Sequence, residues 1–99
     1  MAWKRRALVR RADAVLEGNV DDNLVVLQPA NGEFAGLAGT AVRIWELIER
    51  PITLGEVIDT LAAEYGVPRS ECAPEVVQCL EGLRVKQLVE TVDVEPVDG

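Results

Sequence analysis

Residues 24–49 read LVVLQPANGEFAGLAGTAVRIWELIE, and in this stretch the apolar pattern changes period. Leu24 to Gln28 is a β-branched, apolar strand that runs into Pro29-Ala30-Asn31-Gly32. The Asn31-Gly32 pair favours positive φ and a tight reversal, so a hairpin into Glu33–Leu37 is expected. From Thr40 to Glu49 the spacing becomes helical, with Val42, Trp45 and Ile48 on one stripe and Ala41 and Ile44 beside them. Pro51 stops it.

Working outward, Ala14-Val15-Leu16 reads as an earlier strand, set off by the turn formers Gly18-Asn19-Val20-Asp21-Asp22-Asn23. Three short strands joined by two turns make an antiparallel meander. Downstream, Thr53-Leu54-Gly55-Glu56 fits a capping box, and Leu54, Val57, Ile58, Leu61, Ala62 and Tyr65 follow an amphipathic period that ends at Gly66. Pro74 suits the first turn of a third helix, Ser70 a cap on a short preceding turn. Val76, Val77, Cys79, Leu80 and Leu83 form the apolar face, and Leu88-Val89 closes the core. The expectation is an α+β domain, winged helix-turn-helix-like: a three-stranded antiparallel sheet followed by three helices. Such a fold does not choose its own function.

Ninety-nine residues, 48% of them apolar, suffice for one domain without staples. Charge divides the chain. Residues 1–11 carry Lys4, Arg5, Arg6, Arg10 and Arg11, a local +5; the remainder carries five basic and seventeen acidic residues, a net of −12, within an overall −7. The division suggests a solvated basic arm over residues 1–12, a folded unit over 13–92 and an acidic tail over 93–99. A body this acidic repels phosphate backbones, so no nucleic-acid partner is expected. The longest unbroken apolar run, Leu24–Leu27, is far short of the ~20 residues that span a membrane, and Arg10 and Arg11 interrupt any signal-peptide core.

Catalytic chemistry is hard to assemble. There is no His, and Ser70, the only serine, lies in no nucleophile-elbow pattern. Cys72 and Cys79 on one helix would stand ~10 Å apart, too far for a disulfide. Without further Cys or His they cannot make a structural zinc site. The expectation is therefore no enzyme, no metal, no cofactor, and a reduced, cytoplasmic compartment.

Glu33–Leu37, as third strand of a meander, is an edge. Unpaired edge amides recruit other chains unless Lys, Pro or bulges blunt them, and here there is a single charge and little bulk at Ala35 and Gly36. Gly36 admits close backbone approach; it equally fits a bulge before the helix. Beside an apolar helix, such an edge describes a slot for an extended peptide.

The run Leu37-Ala38-Gly39-Thr40-Ala41-Val42-Arg43-Ile44-Trp45-Glu46-Leu47 resembles the first-helix signature of the PqqD-like family. Thr53–Ile58 with Leu61–Tyr65 is similar to its second helix. Glu75-Val76, Leu80, Leu83 and Leu88-Val89 are similar to its third. Members include pyrroloquinoline quinone biosynthesis protein D and the split leader-binding proteins of lasso-peptide pathways, which share the recognition element of ribosomally made, post-translationally modified peptides. The resemblance implies a non-catalytic, cytoplasmic adaptor that takes a precursor's leader as an added antiparallel strand and presents it to a modifying enzyme or leader peptidase. Carried over, the groove would comprise Glu33, Phe34, Ala35, Gly36 and Leu37 on the strand and Val76, Val77, Leu80 and Arg84 on the third helix. Val76 and Leu80 fit the core as well as the groove. Three positions depart from the family pattern: Ala38 replaces an Asn N-cap, and Arg50 and Gln87 replace helix-ending glycines. A winged-helix DNA-binding regulator is disfavoured because the third helix sets Glu75 and Glu81 against Arg84 and Lys86. A structural dimerisation module, pairing edge strands with itself, is the remaining alternative.

Overall fold

The computed structural model describes residues 3–91. The expected tail at 93–99 lies outside them. The meander is present as β2 (Leu16–Val20), β3 (Asn23–Leu27) and β4 (Phe34–Leu37), in the spatial order β2-β3-β4 and antiparallel throughout. Its first turn is tighter than the sequence suggested. Strand β2 runs through Gly18 to Val20, and Val20 pairs with Asn23 across Asp21-Asp22. Asp21 takes φ 56, a left-handed conformation that a short polar side chain tolerates. The second turn is closed by Asn31, whose Oδ1 accepts from the Glu33 amide at 2.8 Å, and by Gly32 at φ 75.

Three helices follow: α1 (Thr40–Leu47), α2 (Leu54–Tyr65) and α3 (Arg69–Val85). Helix α2 opens on the expected capping box. Thr53 Oγ1 accepts from the Glu56 amide, and Glu56 returns a bond to the Thr53 amide, both at 3.1 Å. Gly66 ends it at φ 67. Helix α3 begins five residues before Pro74, at Arg69, so the proline is inside the helix rather than in its first turn. Pro74 cannot donate to Ser70, and both residues are exposed to solvent. At the other end Leu88 N bonds Leu83 O and Gln87 N bonds Arg84 O, both at 2.9 Å. This is a Schellman ending with Gln87 at φ 63 where a glycine would be unstrained.

The basic arm is not solvated over its second half. Leu8–Arg11 form strand β1, flanked by β5 (Ile52–Thr53) and β6 (Val89–Thr91) in a second sheet. Val9 is fully buried. Arg10 pairs with Glu90 at 2.9 Å; Arg11 donates to the Trp45 carbonyl at 2.6 Å and stands 4.6 Å over its ring. Ahead of β1, Arg5 lies against Gly55, where an added Cβ would meet the guanidinium at 2.8 Å. The folded unit therefore starts well before residue 13. One core, with Val9, Val26, Leu37, Trp45, Val57, Leu61, Val76, Leu80 and Leu88 among its members, joins both sheets to the helices.

Candidate functional site

Strand β4 has a free edge. Within the β3–β4 pair the Gln28 amide bonds the Glu33 carbonyl at 2.8 Å, which fixes the parity of the ladder. Ala35 and Leu37 then exchange their bonds with β3, while Phe34 and Gly36 turn both amide and carbonyl away from it. Lys86 marks that outward side: its Nζ donates to the Phe34 carbonyl at 2.9 Å. The Gly36 amide and carbonyl thus point away from β3, and on the outer face a Cβ at Gly36 would meet nothing within 4 Å.

Alternation places the side chains. Ala35 and Leu37 point into the core; Phe34, 60% exposed, and Gly36 point to the opposite face. Glu33 precedes the strand in the turn, 4.0 Å from Lys86.

Helix α3 supplies the facing wall. Val76 and Leu80 are 0% exposed and belong to the core. At 3.6 residues per turn, Val77 and Arg84 lie about 80–100° to one side of Val76, and Cys79 and Lys86 lie about 60–80° to the other. The contacts identify the flanks. Lys86 reaches β4, so the Glu75, Cys79, Gly82 and Lys86 flank faces the strand edge. Arg84 pairs with Glu81, which also accepts from Trp3 Nε1 at 3.0 Å, so the Val77 and Arg84 flank turns towards the N-terminal segment and β6. Of the expected groove residues, the structure brings Phe34, Gly36 and the Ala35–Leu37 backbone together. It assigns Leu37, Val76 and Leu80 to the core beneath, and it sets Val77 and Arg84 on the far side of α3. Cys79, Gly82 and Lys86 stand on the flank that Lys86 ties to β4. Nothing in the helical period distinguishes the two flanks; only the contact with β4 does.

The space between β4 and this flank of α3 forms the candidate groove. Gly82 would accept a Cβ without contact. At its far end a hollow of ≈ 230 Å³ lies between Thr40, Tyr65, Val67 and the Glu71, Cys72 and Glu75 turn of α3. One end is therefore acidic, through Glu71 and Glu75, and the other holds Lys86. Burial raises the Cys79 thiol above its ordinary range, and Cys72 is raised by burial and by nearby Glu75. Both are free thiols. Among the described residues no three metal-ligating side chains gather, and no helix is long and apolar enough to cross a membrane.

The profile of the family described as coenzyme PQQ synthesis protein D matches residues 23–89. No curated protein matches the chain significantly. Among solved structures, TbiB1 in complex with the TbiA(beta) leader peptide is 32% identical, with a TM-score of 0.73 over 85% of this chain and 98% of that one. Lasso peptide synthetase B1 complexed with a leader peptide is 21% identical, with a TM-score of 0.70 over 83% and 96%. The PqqD truncation of Methylobacterium extorquens PqqCD, a stand-alone recognition element for ribosomally synthesized, post-translationally modified peptides, is 20% identical, with a TM-score of 0.73 over 90% and 95%. The last two establish likeness of fold.

Proposed function

This chain belongs to the PqqD family, and from that premise we propose that it is a non-catalytic adaptor for the leader segment of a ribosomally made precursor peptide. The leader adds to β4 as an antiparallel fourth strand and lies in the groove along the Cys79–Lys86 flank of α3. The observation that carries this reading is the Gly36 edge. Its amide and carbonyl point away from β3, on the side where the Lys86 flank of α3 reaches the strand. The complex of a 32% identical protein with its leader peptide supports the same assignment.

Direction and charge follow from the strand. A leader antiparallel to β4 runs from the Leu37 end to the Phe34 end. Its N-terminal half then lies beside Glu71 and Glu75, and its C-terminal half beside Lys86. A leader with basic residues in that N-terminal half suits the groove. The 230 Å³ hollow near Tyr65 has room for one apolar anchor. One buried anchor contributes about 1.5–3 kcal/mol, part of it offset by ordering the peptide, which puts the affinity between nanomolar and low micromolar. The adaptor acts in the cytoplasm and hands the precursor to a modifying enzyme or leader peptidase.

The test is a titration of the labelled protein with synthetic leader, followed by amide chemical shifts. Saturable binding that moves Phe34–Leu37 and Cys79–Lys86 supports the reading. Shifts confined to Trp3, Val77 and Arg84 would place the site on the wrong side of α3.

A further inference from the structure

A sheet with one face on a core normally alternates apolar and polar residues, leaving its other face wet. The β2–β3–β4 sheet does not. Its register aligns Leu16, Leu27 and Phe34 in one row on the face away from the core, and Gly18, Val25 and Gly36 in the next. Val20 continues the face along β2. Leu16 and Val20 are each 56% exposed and Phe34 60%, and no element of the described chain covers them. The first row is a ridge and the second a trough, since a Cβ at Gly18 or Gly36 would meet nothing within 4 Å. No residue in these rows is charged; the acids lie at the rim, in the Asp21-Asp22 turn and at Glu33.

We propose that this face, widened by the leader strand, is the docking surface for the enzyme that receives the leader, which meets it with an apolar patch rimmed by basic residues. The proposal rests on strand addition at β4, because that edge borders the same face. Each added strand extends a sheet by about 4.8 Å, and alternate leader side chains fall beside Phe34 and Gly36 on the outer side. The loaded adaptor thus presents a composite of its own ridge and the leader's residues, and the enzyme distinguishes loaded from empty adaptor by contact with both.

Size and charge argue against a second copy as the occupant. Strands of five, five and four residues cover roughly 230 Å², well short of the ~800 Å² per partner of a stable dimer. Face-to-face copies would also bring together two acidic rims on chains of net charge −7. A basic-rimmed enzyme gains from the same charges.

The experiment measures binding of the purified modifying enzyme of the same pathway to the full chain, with and without saturating synthetic leader. The Leu16→Lys/Val20→Lys variant changes only β2, the strand farthest from the leader, and Leu16→Ser/Val20→Ser serves if the charged pair fails to fold. Expected are a tenfold or greater gain in enzyme affinity on adding leader to wild type, and a loss of that gain in the variant. The variant's affinity for leader should stay within twofold of wild type. A folded variant that binds leader and recruits enzyme like wild type overturns this docking surface alone. Leader-independent enzyme affinity in wild type overturns the composite. No leader binding by wild type overturns the underlying reading and this inference with it. Concentration-dependent dimers on sedimentation, abolished in the variant, would assign the face to a second copy and overturn it too.

Discussion

The ammonium of Lys86, at the C-cap of α3, donates to the carbonyl of Phe34 across 2.9 Å, tying the helix end to the free edge of β4. This carbonyl is one of the acceptors that an added strand needs. Lys86 therefore competes with the incoming leader for the last rung of the ladder. We predict that Lys86→Met tightens leader binding two- to fivefold, the about 0.5–1 kcal/mol of a half-exposed charged bond. Stability to urea should change by no more than about 0.5 kcal/mol. Weaker binding would mean that Lys86 contacts the leader itself.

The same corner is held from below by Gln28, a buried polar side chain. Its Nε2 donates to the Gln87 carbonyl at 2.6 Å, and its Oε1 accepts from the Ala30 amide at 3.2 Å. Gln28→Leu strands both backbone groups and should cost about 1–3 kcal/mol in urea unfolding. Gln87→Gly keeps the carbonyl and relieves a residue at φ 63; it should gain up to about 1 kcal/mol. A destabilised Gln87→Gly would mean that the left-handed helix ending carries no strain.

Titration of Glu81 offers a test remote from the groove. Hydrogen bonds from Arg84 and then Trp3 hold its carboxylate at about 2, below its ordinary range. The folded value is depressed, so its contribution is complete above the unfolded value near 4.3 and is lost as pH falls through the folded one. Urea midpoints measured from pH 5 down to pH 2 should fall less steeply in Glu81→Gln than in wild type. Parallel curves would remove Glu81 from the acid-sensitive contacts.

The two thiols lie seven residues apart on one flank of α3 and differ in burial. Cys72 is buried, and Cys79 is half-buried on the side that faces β4. Saturating leader should slow alkylation of Cys79 severalfold and leave Cys72 equally slow in both states. Unchanged Cys79 kinetics with bound leader would move the peptide away from this flank.

What the sequence made legible was local. The Thr53–Glu56 box, the Gly66 ending and the Asn31-Gly32 reversal each lie within a few residues, and each element forms where those residues place it. The second sheet was hidden because its evidence is long-range: Val9 pairs with Thr91 and Ile52, and a strand two to four residues long has no period to read. Five cations in eleven residues looked like a solvated arm until Glu90, Asp59 and the Trp45 carbonyl were brought to Arg10, Arg5 and Arg11. In the groove, period two identified the exposed edge and period 3.6 the core stripe at Val76, Leu80 and Leu83. Which flank of that stripe meets β4 depends on how α3 is rotated in the fold, so Val77 and Arg84 were expected where Cys79 and Lys86 stand.

The central claim is strand addition at β4, and Gly36→Pro tests it most directly. Residue 36 makes no bond to β3, so a proline there leaves the β3–β4 ladder intact while deleting the outward amide and crowding the edge. Labelled leader should be titrated into wild type and Gly36→Pro by fluorescence anisotropy, with circular dichroism and urea midpoints run on both. The account predicts an unchanged fold and at least a tenfold loss of leader affinity. A folded Gly36→Pro that binds leader with the wild-type dissociation constant would contradict it.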